Sequence, residues 1–342
     1  MEPVPQGGVM ATIRDVAARA GVSLGTVSRV LAGSTATSAA SRERVAEAVA
    51  ELGYVPNARA GSLRRARTDT VGILVSDVRN PFFAELAHAA EQEALRRGSV
   101  VMLANADEDA EQELTYLRAF GEQRVDGILL APQSSDADRY LRAAADRPLV
   151  MVDRTVRGAG IPHVAADNAG GVGQALEALA ARGHERIGYV GGPATLSTGA
   201  ERRSAFLTGR AERGLATDPR LIEEGDFRPD SGGRALARML DAGASPTAVI
   251  AADGLMAMGV LAELRVRGLR DRIELLSFDD LPWFAEVEPP VSAIANDATE
   301  MGRLSMALLL DAIAGPKGDG GPEPDRLVVP TRLVDRFRGG AA

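Results

Sequence analysis

Few residues in this sequence of 342 residues are suited to covalent or metal chemistry. It contains no cysteine, which excludes a thiolate nucleophile and a disulfide framework. The histidines His88, His163 and His184 are too far apart to match a metal-ligand spacing. Nucleophile-elbow, phosphate-loop and dinucleotide-binding glycine motifs are missing from the sequence. We therefore expect no catalytic residues, no metal site and no cofactor.

One pair of carboxylates allows two interpretations. Asp279 and Asp280 directly follow a predicted strand, where a metal or an acid–base pair can lie. Aspartate is also common in turns, because its side chain bonds to nearby backbone. We favour the turn interpretation.

A second set of residues, polar and aromatic, lies at predicted strand ends and helix starts. Aromatic rings stack on apolar faces, and charged side chains form charge-assisted bonds with hydroxyl groups. Core packing or surface ion pairs explain each residue alone, but their shared placement favours a site for a polar, polyhydroxylated ligand. The candidates are Asn80, Phe82, Phe83, Asp153, Arg154, Thr198, Arg202 and Phe227.

Alternating strands and helices, beginning at Thr70, would position these candidates. Buried-type strands such as "TVGILVSD" alternate with amphipathic helices such as "PFFAELAHAAEQEALRRG" through two consecutive series. This α/β alternation predicts two lobes, each a parallel, doubly wound sheet with helices on both faces. Ligands bind at the carboxyl ends of such strands, so the cleft between the lobes is the predicted site.

Three short helices are predicted ahead of this region. "TIRDVAARA" begins with a Thr12–Asp15 capping box and ends at Gly21. Ser23 is predicted to cap "LGTVSRVLAG", and Ser41 to cap "SRERVAEAVAELGY". Two helices joined by a tight turn are typical of a helix-turn-helix.

Charge is distributed unevenly between the two regions. Residues 1–68 contain nine arginines and five acidic residues, although the whole chain has a net charge of -8. A basic head favours a polyanionic partner, whereas an acidic body repels one; chance clustering of arginine is the simpler alternative. Because no apolar run is long enough to span a membrane and no signal peptide is recognisable, we expect a cytoplasmic protein without membrane contact.

The order of these parts resembles the LacI-type (LacI/GalR) family of bacterial transcriptional regulators over about residues 11 to 336. The head reads "ATIRDVAARAGVSLGTVSRVLAGSTATSAASRERVAEAVAELGYVPNARAGSL". The body adds "NPFF", "DGILL", "VDR", "DNAGG", "RIGYVGG", "MAMG", "SFDD" and "PPVSAI" in that family's order. The resemblance implies a helix-turn-helix head on a two-lobed body like that of periplasmic binding proteins.

The resemblance also implies roles in DNA binding. Leu24 and Gly25 would occupy the two variable specificity positions of a helix in the major groove, and Arg29 would read bases. Gly25 has no side chain, so it cannot read a base directly. Asn57 would open a hinge helix, and Leu63 would wedge into a minor-groove step. The hydroxyl groups implied to hold phosphates belong to Ser23, Thr26, Ser28, Ser38 and Ser41.

Departures from the family pattern concern the effector. Asp253 stands at a family asparagine and Gly254 at the effector-binding aspartate, so we expect Asp253 to substitute. Asn296 stands where a ligand-binding glutamine is common, and Leu196 replaces an arginine of purine-binding members. The resemblance therefore implies a sugar or sugar derivative as effector, bound in part by Asp253 and Asn296, and argues against a purine.

These observations predict a division into four segments. They are a disordered lead (1–10), a helix-turn-helix domain (11–56), a hinge (57–68) and an effector-binding and dimerisation domain (69–338). Within the last, the N-lobe takes about 69–166 and 298–326, and the C-lobe about 167–297 and 327–338. We expect a nucleoid-associated homodimeric repressor that binds double-stranded, pseudo-palindromic operator DNA and responds to a small-molecule effector. A cytoplasmic sugar-binding module without DNA function and a doubly wound enzyme stay open as alternatives.

Overall fold

The computed structural model describes residues 11–31, 34, 36–54, 67–145, 147–315 and 326–337. The chain divides into two compact units, Met1–Thr68 and Asp69–Ala342. The predicted lead and most of the predicted hinge, including Asn57 and Leu63, lie outside the described residues. No helix within the described ranges is long and apolar enough to span a membrane.

The first unit contains α1 (Ile13–Ala20), α2 (Leu24–Leu31) and α3 (Ala39–Leu52). The predicted capping box is confirmed, because Thr12 and Asp15 each accept the other's backbone N–H. Gly21 ends α1 in the left-handed conformation, at φ 61°, which a side chain would disfavour. One face of each helix enters a shared core formed by Val16, Ala17, Ala20, Val27, Val45 and Ala48.

The prediction that Ser41 caps the third helix is wrong. Ser38 is the cap, and its Oγ accepts a hydrogen bond from the backbone N–H of Ser41 at 3.2 Å. Ala39 and Ala40 extend the helix backwards, because alanine has the highest helix propensity. Ser38 keeps the extended backbone that a cap requires, with φ -64° and ψ 151°.

The second unit begins with a sheet of six strands. They are β1 (Thr70–Val75), β2 (Val100–Asn105), β3 (Gly127–Leu130), β4 (Leu149–Val152), β5 (His163–Ala166) and β11 (Arg326–Val329). The strands are ordered β11-β5-β4-β3-β1-β2, and every neighbouring pair is parallel. The helices of this first lobe are α4 (Pro81–Arg96), α5 (Ala110–Gln123), α6 (Ala137–Ala144) and α11 (Ala298–Ala314).

The second lobe repeats this architecture with another sheet of six strands. They are β6 (Ile187–Gly191), β7 (Ile222–Glu224), β8 (Ala248–Ala251), β9 (Glu274–Phe278), β10 (Ser292–Ala295) and β12 (Arg332–Val334). These strands are ordered β12-β10-β9-β8-β6-β7. Its helices are α7 (Asn168–Ala181), α8 (Ser197–Glu212), α9 (Pro229–Asp241) and α10 (Gly254–Val266). Among the described strands of this lobe, β12 alone runs antiparallel to its neighbour. The predicted two-lobed α/β architecture is confirmed.

The chain passes between the lobes at Asp167, at residues 296–297 and at residues 330–331. The first and last passages touch, because the Asp167 N–H donates to the Val329 carbonyl oxygen at 2.9 Å. The sequence placed residues 327–338 in the second lobe, but Val329 still pairs with Ala166 in the first sheet. The last passage therefore comes about three residues later than the sequence suggested.

Candidate functional site

The exposed face of α2 is a candidate surface for reading DNA. Val27 is fully buried and anchors the helix, whereas Leu24, Gly25 and Arg29 are exposed. The side chain of Arg29 lies along the helix, because its Nε donates to the Gly25 carbonyl oxygen at 3.2 Å. These three residues therefore share the accessible side of one short helix.

The predicted phosphate-binding hydroxyl groups cluster at two helix N-termini. Ser23 Oγ and Thr26 Oγ1 lie 2.9 Å apart at the start of α2, and Thr26 N–H also donates to Ser23 Oγ. Ser38 Oγ donates to Ser41 Oγ at 2.9 Å at the start of α3. A helix N-terminus favours anions, because its first N–H groups have no partner within the helix. Ser28 is half-buried on α2.

The second candidate site is the cleft between the lobes, at the carboxyl ends of the strands. Of the ten predicted effector-binding residues, Asn296 is half-buried and the other nine are buried. The cleft differs from the ordinary protein surface because its polar side chains are buried, whereas polar groups on the surface are usually solvated. The nine are Asn80, Phe82, Phe83, Asp153, Arg154, Thr198, Arg202, Phe227 and Asp253.

Hydrogen bonds join the two lobes across this cleft. Asn80 Nδ2 donates to Asp253 Oδ2 at 3.1 Å, and Thr155 N–H donates to Ser197 Oγ at 2.8 Å. Arg228 Nη2 donates to the Asp107 carbonyl oxygen at 2.6 Å. The lobes are therefore closed on one another, and residues distant in sequence come together.

Arg154 organises the first-lobe side of the cleft. Its guanidinium donates to both carboxylate oxygens of Glu108 at 2.7 Å and to Gln133 Oε1 at 2.6 Å. It also lies over the ring of Phe227, 4.9 Å from the centroid. The sequence analysis did not include Glu108 and Gln133 among the candidates. Glu108 follows β2 and Gln133 follows β3, so the expectation that ligands bind at the carboxyl ends of parallel strands applies to them equally.

Arg202 holds a similar place in the second lobe. Its Nε donates to Asn168 Oδ1 and its Nη1 to the Ala252 carbonyl oxygen, both at 2.7 Å. The guanidinium lies over the ring of Phe278, 3.7 Å from the centroid. These contacts fix the cation at the end of β8.

The turn interpretation of Asp279 and Asp280 is incomplete. Asp279 has the turn-like φ of 71°, but its carboxylate is buried and accepts from Asn296 Nδ2 at 2.6 Å. Asp280 instead forms an ion pair with Arg336 at 2.7 Å. Asp279 thus belongs to the cleft, and its neighbour does not share its environment.

Three buried aspartates face the cleft with raised pKa values. Burial raises the pKa of Asp153 to about 6, against the opposing pull of Arg202 and Arg154. Burial also raises the pKa of Asp253 and of Asp279, and the negative charge of Asp279 raises that of Asp253 further. The carboxylates are therefore only partly compensated by neighbouring cations.

Three polar atoms in the cleft are buried without a hydrogen-bond partner among the described residues, Arg154 Nε, Thr198 Oγ1 and Asn296 Oδ1. A cavity of about 550 Å³ is lined in part by Phe82, Asp279 and Asn296. Within the described ranges, no group of three or more His, Cys, Asp or Glu side chains is arranged to hold a metal ion.

Comparison with known proteins gives matches to both regions. Residues 12–57 match the family described as bacterial regulatory proteins, lacI family, and residues 176–337 match the periplasmic binding protein-like domain. The HTH-type transcriptional repressor CytR of Escherichia coli (strain K12) is 31% identical over 308 residues, which cover 89% of this chain and 90% of CytR.

Solved structures are similar over nearly the whole chain. The lac repressor dimer bound to operator and the anti-inducer ONPF has a TM-score of 0.82 at 26% identity, covering 95% of this chain and 98% of that one. The transcriptional regulator CelR–cellobiose complex has a TM-score of 0.70 at 35% identity, covering 96% and 100%.

Proposed function

The chain belongs to the lacI family of bacterial regulatory proteins, and we propose that it is a sequence-specific DNA-binding repressor controlled by a sugar or sugar derivative. The observation that carries the proposal is the presence, in one chain, of an exposed reading helix and a closed cleft lined by buried charges and aromatic rings. Neither feature alone distinguishes a regulator from a simple DNA-binding or sugar-binding protein.

The head would bind DNA through α2 in the major groove. Arg29 can exchange its bond to the Gly25 carbonyl oxygen for two bonds to guanine O6 and N7, which fit a guanidinium. The hydroxyl pairs at the N-termini of α2 and α3 would hold phosphates on either side. The solved lac repressor dimer on its operator supports a homodimer on a pseudo-palindromic site.

The cleft would bind the effector by a combination of stacking and charge-assisted hydrogen bonds. The rings of Phe82 and Phe83, 5.1 Å apart and edge-on, offer apolar surface to a sugar face. Asp153 and Asp279 can accept bonds from hydroxyl groups. The similar regulator CelR was solved in complex with cellobiose, which supports a sugar as the effector class. Effector and operator must change each other's affinity by the same factor.

The DNA-binding proposal is tested by selecting operator sites from random DNA with the full chain. We expect enrichment of a pseudo-palindrome, and an affinity that falls steeply between about 50 and 200 mM salt because bound phosphates release counterions. Arg29→Ala should lose about 1–3 kcal/mol of discrimination at one base pair of each half-site.

Arg19→Ala is the matched control, because Arg19 is also exposed but pairs with Glu51 rather than lying on α2. It should keep the selected preference. Salt-independent binding, or an unchanged preference in Arg29→Ala, would contradict a base-reading head.

The effector part is tested separately by adding sugars to the full chain and measuring its melting temperature and operator affinity. A ligand that binds the folded cleft raises the melting temperature by mass action. Turnover of a bound sugar would contradict a purely regulatory site and favour the enzyme alternative.

A further inference from the structure

The cleft holds an excess of buried negative charge. The carboxylates of Glu108, Asp153, Asp253 and Asp279 face it from both lobes. Arg154 binds Glu108 through two bonds of 2.7 Å, and its Nε lies 3.9 Å from Asp153 Oδ2. Of the described cleft residues, two buried cations, Arg154 and Arg202, therefore face four carboxylates.

Arg202 does not donate a hydrogen bond from its Nε or Nη1 to any of these carboxylates. Its Nε and Nη1 donate to an amide oxygen and a backbone carbonyl oxygen, neither of which carries a negative charge. Its planar face is covered by Phe278. A buried charge without a counter-charge costs free energy, and burial accordingly raises the pKa of each of the three aspartates. A cation supplied by a ligand would compensate the same buried negative charge.

Unpartnered polar atoms mark the place as a ligand site. Thr198 is only 2% exposed, and its Oγ1 has no partner among the described residues. It lies in the first turn of α8, which meets the other lobe through Ser197 and Thr155. Asn296 donates its Nδ2 to Asp279, while its Oδ1 is left without a partner. That oxygen is an acceptor only and therefore needs a donor from the ligand.

The adjoining cavity has the same sign of charge. Its 550 Å³ volume is lined by Glu85, Asp279, Asp280 and Asp297, against Arg332. Asp280 is paired with Arg336, which leaves a mainly negative wall. A negative wall of this kind raises the local concentration of cations and repels anions such as sugar phosphates.

We propose that the effector carries a protonated amine on its polyhydroxylated skeleton, as an amino sugar does, and that this ammonium binds among Asp153, Asp253 and Asp279. The proposal rests on the regulator function above and names the chemical class of its effector. An ammonium offers three N–H donors, which match carboxylate oxygens and the free Asn296 Oδ1. The hydroxyl groups of the same ligand would be left for Thr198 and Arg154.

The test uses the full chain with matched sugars that differ only at the amine. Melting temperature and calorimetric affinity are measured at pH 7 for D-glucosamine, D-galactosamine and D-mannosamine, each beside its neutral parent and its N-acetyl derivative. We expect at least one amine to bind at least tenfold more tightly than both of its matched sugars. Stabilisation by none of the amines, or equal binding of a neutral parent, would overturn the proposal.

Asp153→Asn separates charge from hydroxyl contact. Asp153 has a φ of 64°, which asparagine tolerates, so the variant removes the charge with little strain. Amine binding should weaken at least fivefold while binding of the neutral parent changes less. Asp241→Asn, an exposed carboxylate paired with Arg267 outside the cleft, is the control. An equal loss for amine and parent would contradict an ammonium contact.

The two proposals fail in different ways. A chain that binds a neutral sugar and releases its operator keeps the regulator function and loses the amine. A chain that binds an amine but selects no operator site keeps the ligand class and loses the regulator function.

Discussion

Gly25 leaves the exposed face of α2 without a side chain at its second residue. Among the described residues, a Cβ built there would meet only Ser23 Oγ, at the ordinary contact distance of 3.8 Å. No described residue of the head therefore requires glycine at this position. The proposed docking of α2 in the major groove offers another reason, because glycine would let the backbone approach the DNA closely.

Gly25→Ala should separate these two reasons. We expect the head to be as stable as before, because alanine is favoured over glycine in helices by up to about 1 kcal/mol. Affinity for the selected operator should fall several-fold, because the added methyl group would separate helix and base edges. Urea unfolding and operator titration measure the two effects.

Gly173→Ala is the matched control, since Gly173 lies in α7 of the body with open space around its Cα. It should change neither quantity by much. Unchanged operator affinity in Gly25→Ala would mean that the backbone at this position does not approach the DNA.

Two helix N-caps in the body also form a contact between the lobes. Asn80 caps α4 by accepting from the Phe82 N–H, and Asp253 caps α10 by accepting from the Met256 N–H. The same two side chains are bonded to each other across the cleft. Opening the lobes therefore acts on two helix N-termini at once, which gives the cleft a direct connection to the elements around it.

The Ser38 cap should contribute measurably to the stability of α3. Ser38→Ala removes the oxygen that accepts from the Ser41 N–H and should destabilise α3 by about 1 kcal/mol. Hydrogen exchange of the first-turn amides of α3 should then speed up about fivefold. Ser41→Ala, which removes only the hydroxyl bonded to Ser38, should have a smaller effect. Equal effects of both substitutions would contradict the assignment of the cap.

The two units of the molecule differ in charge, and the body contains buried carboxylates with raised pKa values. The head is basic in composition, while the much larger body makes the chain acidic as a whole. Inside the body, burial raises the pKa of Glu113 to about 7 and that of Asp153 to about 6. In an unfolded chain both groups titrate near pH 4.

These raised pKa values predict how stability depends on pH. At these two groups the folded body binds more protons than the unfolded chain between about pH 4 and the raised pKa values. Stability from these groups is therefore complete below about pH 4 and is lost as pH rises through 6 to 7. For Asp153 the loss is on the order of 2–3 kcal/mol. Glu108 and Asp279 add to its raised pKa, whereas Arg154 and Arg202 oppose it.

Asp153→Asn should therefore flatten the fall in melting temperature between about pH 4 and 7, measured on the full chain. Asp241→Asn should not flatten it, because the pKa of this exposed carboxylate is lowered by Arg267. If the melting temperature of Asp153→Asn falls with pH as steeply as that of the parent chain, the Asp153 carboxylate does not cause the pH dependence of stability.

Sequence alone was enough for the order of elements and the two-lobed fold. Alternation of apolar strands and amphipathic helices is a local property, and so is the capping box at Thr12 and Asp15. Strand-end residues such as Asp153 and Arg154 could be found because the rule for parallel sheets needs only the position of each strand. None of this required knowledge of which strands pair.

Only the tertiary structure decided which charges meet. The sequence favoured a turn role for Asp279. In the closed structure the residue is buried in the same cleft as Asp253 and Arg202. Glu108 and Gln133 follow strand ends, but only the folded chain shows that they meet Arg154. The imbalance of charge in the cleft is likewise invisible in composition, because burial and the distance between side chains, rather than their number, determine what a charge costs.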